Sequence, residues 1–368
     1  MRILKIMIKI ILLILIILFV IALVGVCFLE LYPGVGNTPN NTRQKEYEER
    51  TEYFYNGQFH NENEVAVSSL GVDIKGTRLT PTDAIPVVKS ENIEQGQIGK
   101  LYVTWLGHSS ALVQLGEKNI LIDPVFSRHS SPVQFAGPKR FSDVPIEPEN
   151  LPEIDILMLS HDHYDHMDYK TIKKIDSKIK KYIVPLGVEC YLIGWGIDEN
   201  KISTVAWYDE LEVEGIRVVA TPSQHFTGRN PLKSNSSWWC GFYFEDDYHN
   251  VYYSGDGGYY DIFKRINERF GDIDLALVEC GQYGKGWPFI HMFPEQVAEA
   301  AKELNAKCYV PIHWGAYCIC NNDWDDSIVR FSGLAEMKGI NYATPKIGER
   351  VDYDAIDQYH EHWWEGLK

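Results

Sequence analysis

Ser160-His161-Asp162-His163-Tyr164-Asp165-His166 gathers three imidazoles and two carboxylates into one short stretch. Imidazole and carboxylate in H-x-H-x-D-H order suit metal ligation, and the spacing fits two cations a few ångströms apart better than one. A solvated polar loop is the plain alternative, but it gives no reason for this choice of residues. The stretch follows Ile156-Leu157-Met158-Leu159, an apolar run that reads as a buried strand. Alternate residues of a strand share a face, so His161 and His163 are expected to point the same way. A turn then lets Asp165 and His166 approach from another side.

Four donors cannot fill two coordination shells, and the chain offers more, each just past an apolar run. Arg217-Val218-Val219-Ala220 leads to His225, Val251-Tyr252-Tyr253 to Asp256, and Cys308-Tyr309-Val310-Pro311 to His313. Taken singly, His225 or His313 reads as a satisfied core histidine. Their shared placement past strands points instead to ligands. Gly255 and Gly257 would let the backbone turn tightly around Asp256. Asp256 is the natural bridge, because one carboxylate can offer an oxygen to each of two cations.

The elements that must hold these donors begin near residue 96. Leu101 to Leu106, Ala111 to Leu115 and Asn119 to Ile122 read as successive strands, and Thr171 to Ile179 and Glu295 to Leu304 as helices, the second opening beside Pro294. Residues 96–368 are expected to form one catalytic domain. Ahead of it, residues 31–95 are broken by Pro33-Gly34 and Gly36 and kept polar by Glu62, Glu64 and Asp73, so they read as a tether, part of it a lid or groove wall. Residues 1–30 carry twenty uncharged positions from Ile10 to Leu29, enough to span a bilayer as a helix. Val26 stands where a cleaved signal or a lipidated Cys27 would want a small residue, which favours an uncleaved anchor. Arg2, Lys5 and Lys9 precede the span, so a single-pass membrane protein with its catalytic domain outside the cytoplasm is expected.

The order H-x-H-x-D-H, then His, Asp and His, resembles the metallo-β-lactamase-fold hydrolases. Within them it is similar to the phospholipase D that hydrolyses N-acyl-phosphatidylethanolamine and its bacterial relatives. Trp105 to Ser110, Asp123-Pro124, Gly137-Pro138-Lys139-Arg140-Phe141 and Gln224-His225-Phe226-Thr227-Gly228-Arg229 carry the narrower likeness. The resemblance implies a four-layer αββα sandwich with the metals at one edge of its two sheets. Carried over by position, His161, His163 and His225 would hold one zinc, and Asp165, His166 and His313 the other, with Asp256 bridging. Asp123 would orient a ligand imidazole from behind. His291 would contact the phosphate or protonate the leaving oxygen, or else pack at a helix start. The chain departs from the family pattern at Ile290, where the animal enzyme has a polar residue. Tyr164 either faces substrate or packs its loop.

The implied chemistry is phosphodiester hydrolysis by a hydroxide bridging two zinc ions, with other divalent transition metals fitting the same donors. The implied substrate is an N-acyl-phosphatidylethanolamine-like phospholipid. A lactonase or another small ester or phosphodiester hydrolase is the rival. Trp287, Phe289, Trp238 and Trp239 could line an apolar groove or belong to the core. A net charge of −16 without a basic stripe counts against a nuclease, and no nucleic-acid partner is expected. The seven cysteines form no disulfide framework and read as thiols. A scaffold with a degenerate site would have no use for so complete a donor set.

Overall fold

Apolar residues after Lys9 continue without a break into one helix, α1 (Arg2–Leu31), in a computed structural model that describes residues 2–65 and 76–368. By length and composition α1 could cross a membrane, and its apolar window is unburied. The chain then turns through Gly36, at φ 86°, into α2 (Asn41–Arg50). The Asn40 side chain caps α2 by accepting from the Thr42 and Arg43 N–H groups at 3.0 Å each. A small hairpin follows, β1 (Phe54–Tyr55) and β2 (Gln58–Phe59). Tyr47, Phe54 and Phe59 from this segment are buried, and Phe59 stacks on Trp238 at 5.2 Å. The expected tether thus packs on the body through Tyr47, Phe54 and Phe59, and again past residue 75 through buried Ile85 and through Arg78, 2.9 Å from Asp325. The expectations for residues 66–75, Asp73 among them, lie outside the described residues.

The body alternates short strands and helices: β3 (Leu101–Gly107), β4 (Ser110–Leu115), β5 (Lys118–Ile122), β6 (Ile154–Met158), α3 (Tyr169–Ile175), β7 (Ile179–Pro185), α4 (Val188–Gly194) and β8 (Ile202–Val205). Then come β9 (Glu210–Val213), β10 (Ile216–Thr221), β11 (Gly241–Glu245), β12 (Asn250–Tyr253), α5 (Ile262–Phe270), β13 (Leu275–Glu279), α6 (Pro294–Leu304), β14 (Cys308–Ile312), α7 (Asp326–Lys338) and β15 (Arg350–Asp352). Among the described residues the first sheet runs β15-β3-β4-β5-β6-β7-β8 and the second β14-β13-β12-β11-β10-β9. In each, one part is antiparallel and the other parallel, β5 to β8 in the first and β12 to β14 in the second.

Strand periodicity decides which side chains meet. Val113, Ile120, Ile156 and Met158 face inward with Val218, Phe242, Phe244 and Leu277 of the other sheet. Leu112, Leu121 and Leu157 point the other way, onto Ile172 and Ile175 of α3 and Val188 and Leu192 of α4. Helices α5, α6 and α7 cover the second sheet through Ile266, Val297, Leu304 and Phe331. The result is the expected αββα sandwich.

Two local expectations are corrected. The helix expected over Thr171–Ile179 ends at Ile175, passes through a 3-10 turn at Asp176–Lys178, and Ile179 already opens β7. Ile179 shares helical spacing with Ile172 and Ile175, yet its burial is that of a strand residue paired with Ile154. Strand β6 also stops at Met158, so His161 and His163 lie on a loop rather than on a strand face.

Candidate metal centre

Donors collect at one edge because the strands leading to them point the same way. Asp123 follows β5, the 160–166 loop follows β6, Asp256 follows β12 and His313 follows β14. Ligand sites of open α/β sheets lie beyond the carboxyl ends of strands for this reason. The two sheets are tied together there, His108 N–H donating to the Trp314 carbonyl at 3.0 Å and His313 N–H to the His108 carbonyl at 2.9 Å. His108, Asp123 and His313 all hold positive φ, at 53°, 41° and 70°. Such strain at non-glycine residues persists only where surrounding contacts over-determine it.

The side chains converge as two groups. His161 Nε2 and His225 Nε2 lie 3.0 and 3.2 Å from His163 Nδ1. On the other side, Asp165 Oδ2 lies 3.0 Å from His108 Nε2, 3.3 Å from His313 Nε2 and 3.5 Å from His166 Nε2. Asp256 stands between them. Its Oδ2 is 3.1 and 3.2 Å from His166 and His313, and 3.8 and 3.9 Å from His225 and His161. All seven residues named from the sequence as metal ligands therefore meet in one place. Gly255 makes the turn before Asp256 with φ 59°. The second tight spot is Gly258 rather than Gly257, since a Cβ on Gly258 would sit 1.9 Å from the Phe289 carbonyl oxygen.

Supporting atoms behind the imidazoles fix which nitrogen faces inward. Asp123 Oδ2 accepts from His166 Nδ1 at 2.7 Å and from Tyr253 Oη at 2.6 Å, while Asp123 Oδ1 accepts from Ser160 N–H at 2.7 Å. The Ile290 carbonyl takes His225 Nδ1 at 3.0 Å, so it is the backbone of this departing position that serves the site. Asn61, from the segment expected as a tether, brackets His225 by donating to its carbonyl at 2.8 Å and accepting its N–H at 3.0 Å. Asp123→Ala is expected to weaken metal affinity about 10–100-fold. Competition against a calibrated chelator measures this, and unchanged affinity would remove Asp123 from the supporting set.

Burial first, and then the neighbouring imidazoles, hold His161 well below its usual range. Burial likewise lowers His163 and His225. Neutral imidazole is the ligating form. His166 behaves oppositely: burial works against its charge, but Asp256 and Asp165 outweigh it and hold the ring well above its ordinary value. Cation uptake would therefore displace a proton from this position.

A cavity of about 300 Å³ opens on the cluster, walled by His163, Asp165, Asp256, His291 and His313 on one side and Phe226, Trp287, Ile290 and Ile319 on the other. His291 Nδ1 lies 2.8 Å from the buried carboxylate of Glu279, whose other oxygen accepts the Met292 N–H at 2.7 Å. Burial alone would lower His291, but the Glu279 charge more than offsets it and lifts the ring to about 9. Bound cations pull that value down again. Tyr164 does not line this cavity: its hydroxyl donates to the Arg229 carbonyl at 2.9 Å, and the Arg229 guanidinium lies 4.2 Å from its ring centre. Trp238 and Trp239 are core residues at 1 % exposure each, which leaves Trp287 in the cavity wall and Phe289 at the surface.

His108 and Glu279 were not singled out as site residues from the sequence. Both obey the rule that found the others, since His108 immediately follows β3 and Glu279 ends β13.

Residues 118–314 match the Beta-lactamase superfamily domain. The chain belongs to the beta-lactamase superfamily. An uncharacterized protein of Mycobacterium tuberculosis is 35% identical over 288 residues, covering 77% of this chain and 77% of its own. N-acyl-phosphatidylethanolamine-hydrolyzing phospholipase D 1 of Caenorhabditis elegans is 32% identical over 267 residues, 68% of this chain and 75% of that one. Igni18, a metallo hydrolase from the archaeon Ignicoccus hospitalis, shares the fold with a TM-score of 0.51 at 19% identity, over 69% of this chain and 98% of the other. This chain is a metal-dependent hydrolase of that superfamily.

The superfamily implies bound metal, and the residues present fit it. Five imidazoles, from His161, His163, His166, His225 and His313, and the carboxylates of Asp165 and Asp256 form a nitrogen–oxygen donor set with no thiolate in it. Asp256 Oδ1 is buried and has no hydrogen-bond partner among the described residues, so one oxygen remains for a cation while Oδ2 faces the imidazoles. Borderline divalent metals suit such donors.

Proposed function

We propose that this hydrolase is a membrane-anchored phosphodiesterase of the phospholipase D type, acting on N-acyl-phosphatidylethanolamine-like phospholipids with two zinc ions. His161, His163 and His225 would hold one ion and Asp165, His166 and His313 the other, with Asp256 shared and Asp123 supporting. Other divalent transition metals fit the same donors. The carrying observation is the cavity itself, where an apolar wall of Phe226, Trp287, Ile290 and Ile319 faces the donor cluster. A phospholipid needs both surfaces, one for a charged phosphodiester and one for the hydrocarbon beside it. The 32% identity to a nematode phospholipase D supports the same substrate class. Helix α1 would hold the chain in the bilayer, and Arg2, Lys5 and Lys9 before it favour a catalytic domain outside the cytoplasm.

When bound, two divalent cations supply Lewis-acid polarisation of a phosphoryl oxygen and a lowered pKa for the attacking water. The chain's own residues do the rest. Asp165 and Asp256 place negative charge between the imidazoles and fix the separation of the two groups. Glu279 holds His291 by Nδ1, which leaves Nε2 as the nitrogen for substrate. From that position His291 gives its proton to the departing oxygen of the headgroup. Phe226, Trp287 and Ile319 exclude water from the reacting phosphodiester.

The test uses the full-length chain, stripped by chelator and reloaded with zinc, on vesicles containing N-acyl-phosphatidylethanolamine. Phosphatidic acid and N-acylethanolamine should appear in equal amounts, only after reloading. Turnover of lactones without turnover of the phospholipid would replace this proposal by the rival one. His291→Gln is expected to lower kcat about a hundredfold or more while both metals stay bound. Steady-state rates with metal analysis decide it, and an unchanged kcat would return His291 to a packing role.

A further inference from the structure

We propose that the loops at 128–139 and 230–234 rest on the bilayer that holds α1, with Phe135 and Leu232 entering the interface and Arg128, Lys139 and Lys170 facing acidic lipid headgroups. This rests on the anchoring of α1 proposed above and adds a second membrane contact, made by the catalytic body.

Position comes first. Twenty uncharged residues end at Leu29, the length that crosses the hydrocarbon layer, so the headgroup region begins at about Glu30. At that level the body touches the helix. Asn230 Nδ2 donates to the Leu29 carbonyl at 3.3 Å, and Lys233 Nζ lies 2.9 Å from Glu30. Leu232 sits between these two contacts and is 62% exposed. The other loop meets the turn after α1, where a Cβ on Gly34 would lie 2.8 Å from the Pro132 carbonyl oxygen. Phe135, three residues on, is 85% exposed. Tyr32, stacked on Phe28 at 4.9 Å, adds an aromatic of the kind that marks a membrane–water boundary.

Charge points the same way. The chain carries −16 overall, yet Arg128, Lys139 and Lys170 have no ion-pair partner among the described residues. Arg128 and Lys170 line one hollow together with Gln134 and Glu147. Lys170 and Gln134 also border the gap beside Gly34 and Pro132, so the cations adjoin the apolar loop. Exposed basic and apolar residues side by side, next to a membrane-spanning helix, are how a protein surface binds an anionic bilayer. Phe135 makes no ring contact with another aromatic among the described residues.

The experiment uses the full chain carrying Cys27→Ser, which removes the exposed native thiol. Single cysteines replace Leu31, Phe135, Leu232 or Met337, each labelled with an environment-sensitive fluorophore. The proteins are reconstituted in phosphatidylcholine–phosphatidylglycerol vesicles containing a lipid-borne quencher. Met337, on α7 and 85% exposed, is the control for ordinary exposure. The Phe135 and Leu232 labels should shift to the blue and lose fluorescence as the Leu31 label does, while the Met337 label does neither. Arg128→Gln, Lys139→Gln and Lys170→Gln together should reduce quenching at Phe135 and make it independent of phosphatidylglycerol. Quenching at Leu31 without quenching at Phe135 and Leu232 overturns this contact and leaves the anchor standing. A blue shift at Phe135 without lipid quenching means a protein partner or second copy, and overturns it too. An unquenched Leu31 label removes the anchor itself.

Discussion

Asp256→Ala abolishes hydrolysis, by on the order of a thousandfold or more, and lowers bound metal below two ions per chain while the fold survives. The size follows from where this carboxylate sits. Its Oδ2 lies within 3.9 Å of four imidazole nitrogens drawn from both groups, so it helps hold the two halves in register. Its removal also takes from the buried rings of His166 and His313 one of the carboxylates that face them, with Asp165 left at 3.5 and 3.3 Å. The fold persists because Asp256 lies on a loop past β12, outside the apolar core between the sheets. Metal content by atomic absorption, far-ultraviolet circular dichroism and product assay check the three parts separately. Full activity in the variant would end its assignment as the bridge.

Arg229→Ala costs about 3–5 kcal/mol of stability and takes activity down with it. The guanidinium is buried, and its donors are used on backbone oxygens from two distant segments. Nε donates to the Val35 carbonyl at 3.0 Å and Nη2 to Gly34 at 2.7 Å. Nη1 donates to the Asp162 carbonyl at 3.0 Å and the Met167 carbonyl at 2.7 Å, one inside the donor loop and one just past it. Alanine leaves those carbonyls dry and unpaired, and it empties the space beside Tyr164 and Trp195, whose rings lie 4.2 and 5.1 Å from the guanidinium carbon. Lysine keeps the charge but cannot reproduce the planar fork, so Arg229→Lys should recover little. A fall in Tm of roughly 10 °C is expected for the alanine variant. Wild-type melting with wild-type turnover would show that the clamp is idle.

Most of the centre was legible because metal ligation needs particular residue types, and strand ends are marked by apolar runs. The stretch at 160–166 and the later His225, Asp256 and His313 all announced themselves in this way. His108 and Glu279 did not, since each acquires its meaning from a partner far along the chain, Asp165 for one and His291 for the other. The same holds for Asn61. Nothing local distinguishes an amide that brackets His225 from one exposed to solvent. Helix α2 looked like tether because Tyr47 is its one buried residue, and that burial depends on Glu189 and on the hairpin beyond it. Ile179 was misplaced because one isoleucine spacing serves a helix face and a strand start equally well.

The joint between the helix exit and the donor loop also governs where this chain can be shortened. A water-soluble form starting at Tyr32 sheds α1 yet keeps the Pro33 carbonyl that accepts Trp195 Nε1 at 2.7 Å, together with the two oxygens held by Arg229. A form starting at Glu52 lacks all three, and it uncovers Glu189 by deleting Tyr47. Boundaries for expression and crystallisation therefore belong ahead of Pro33, even though the catalytic sheets begin almost seventy residues later.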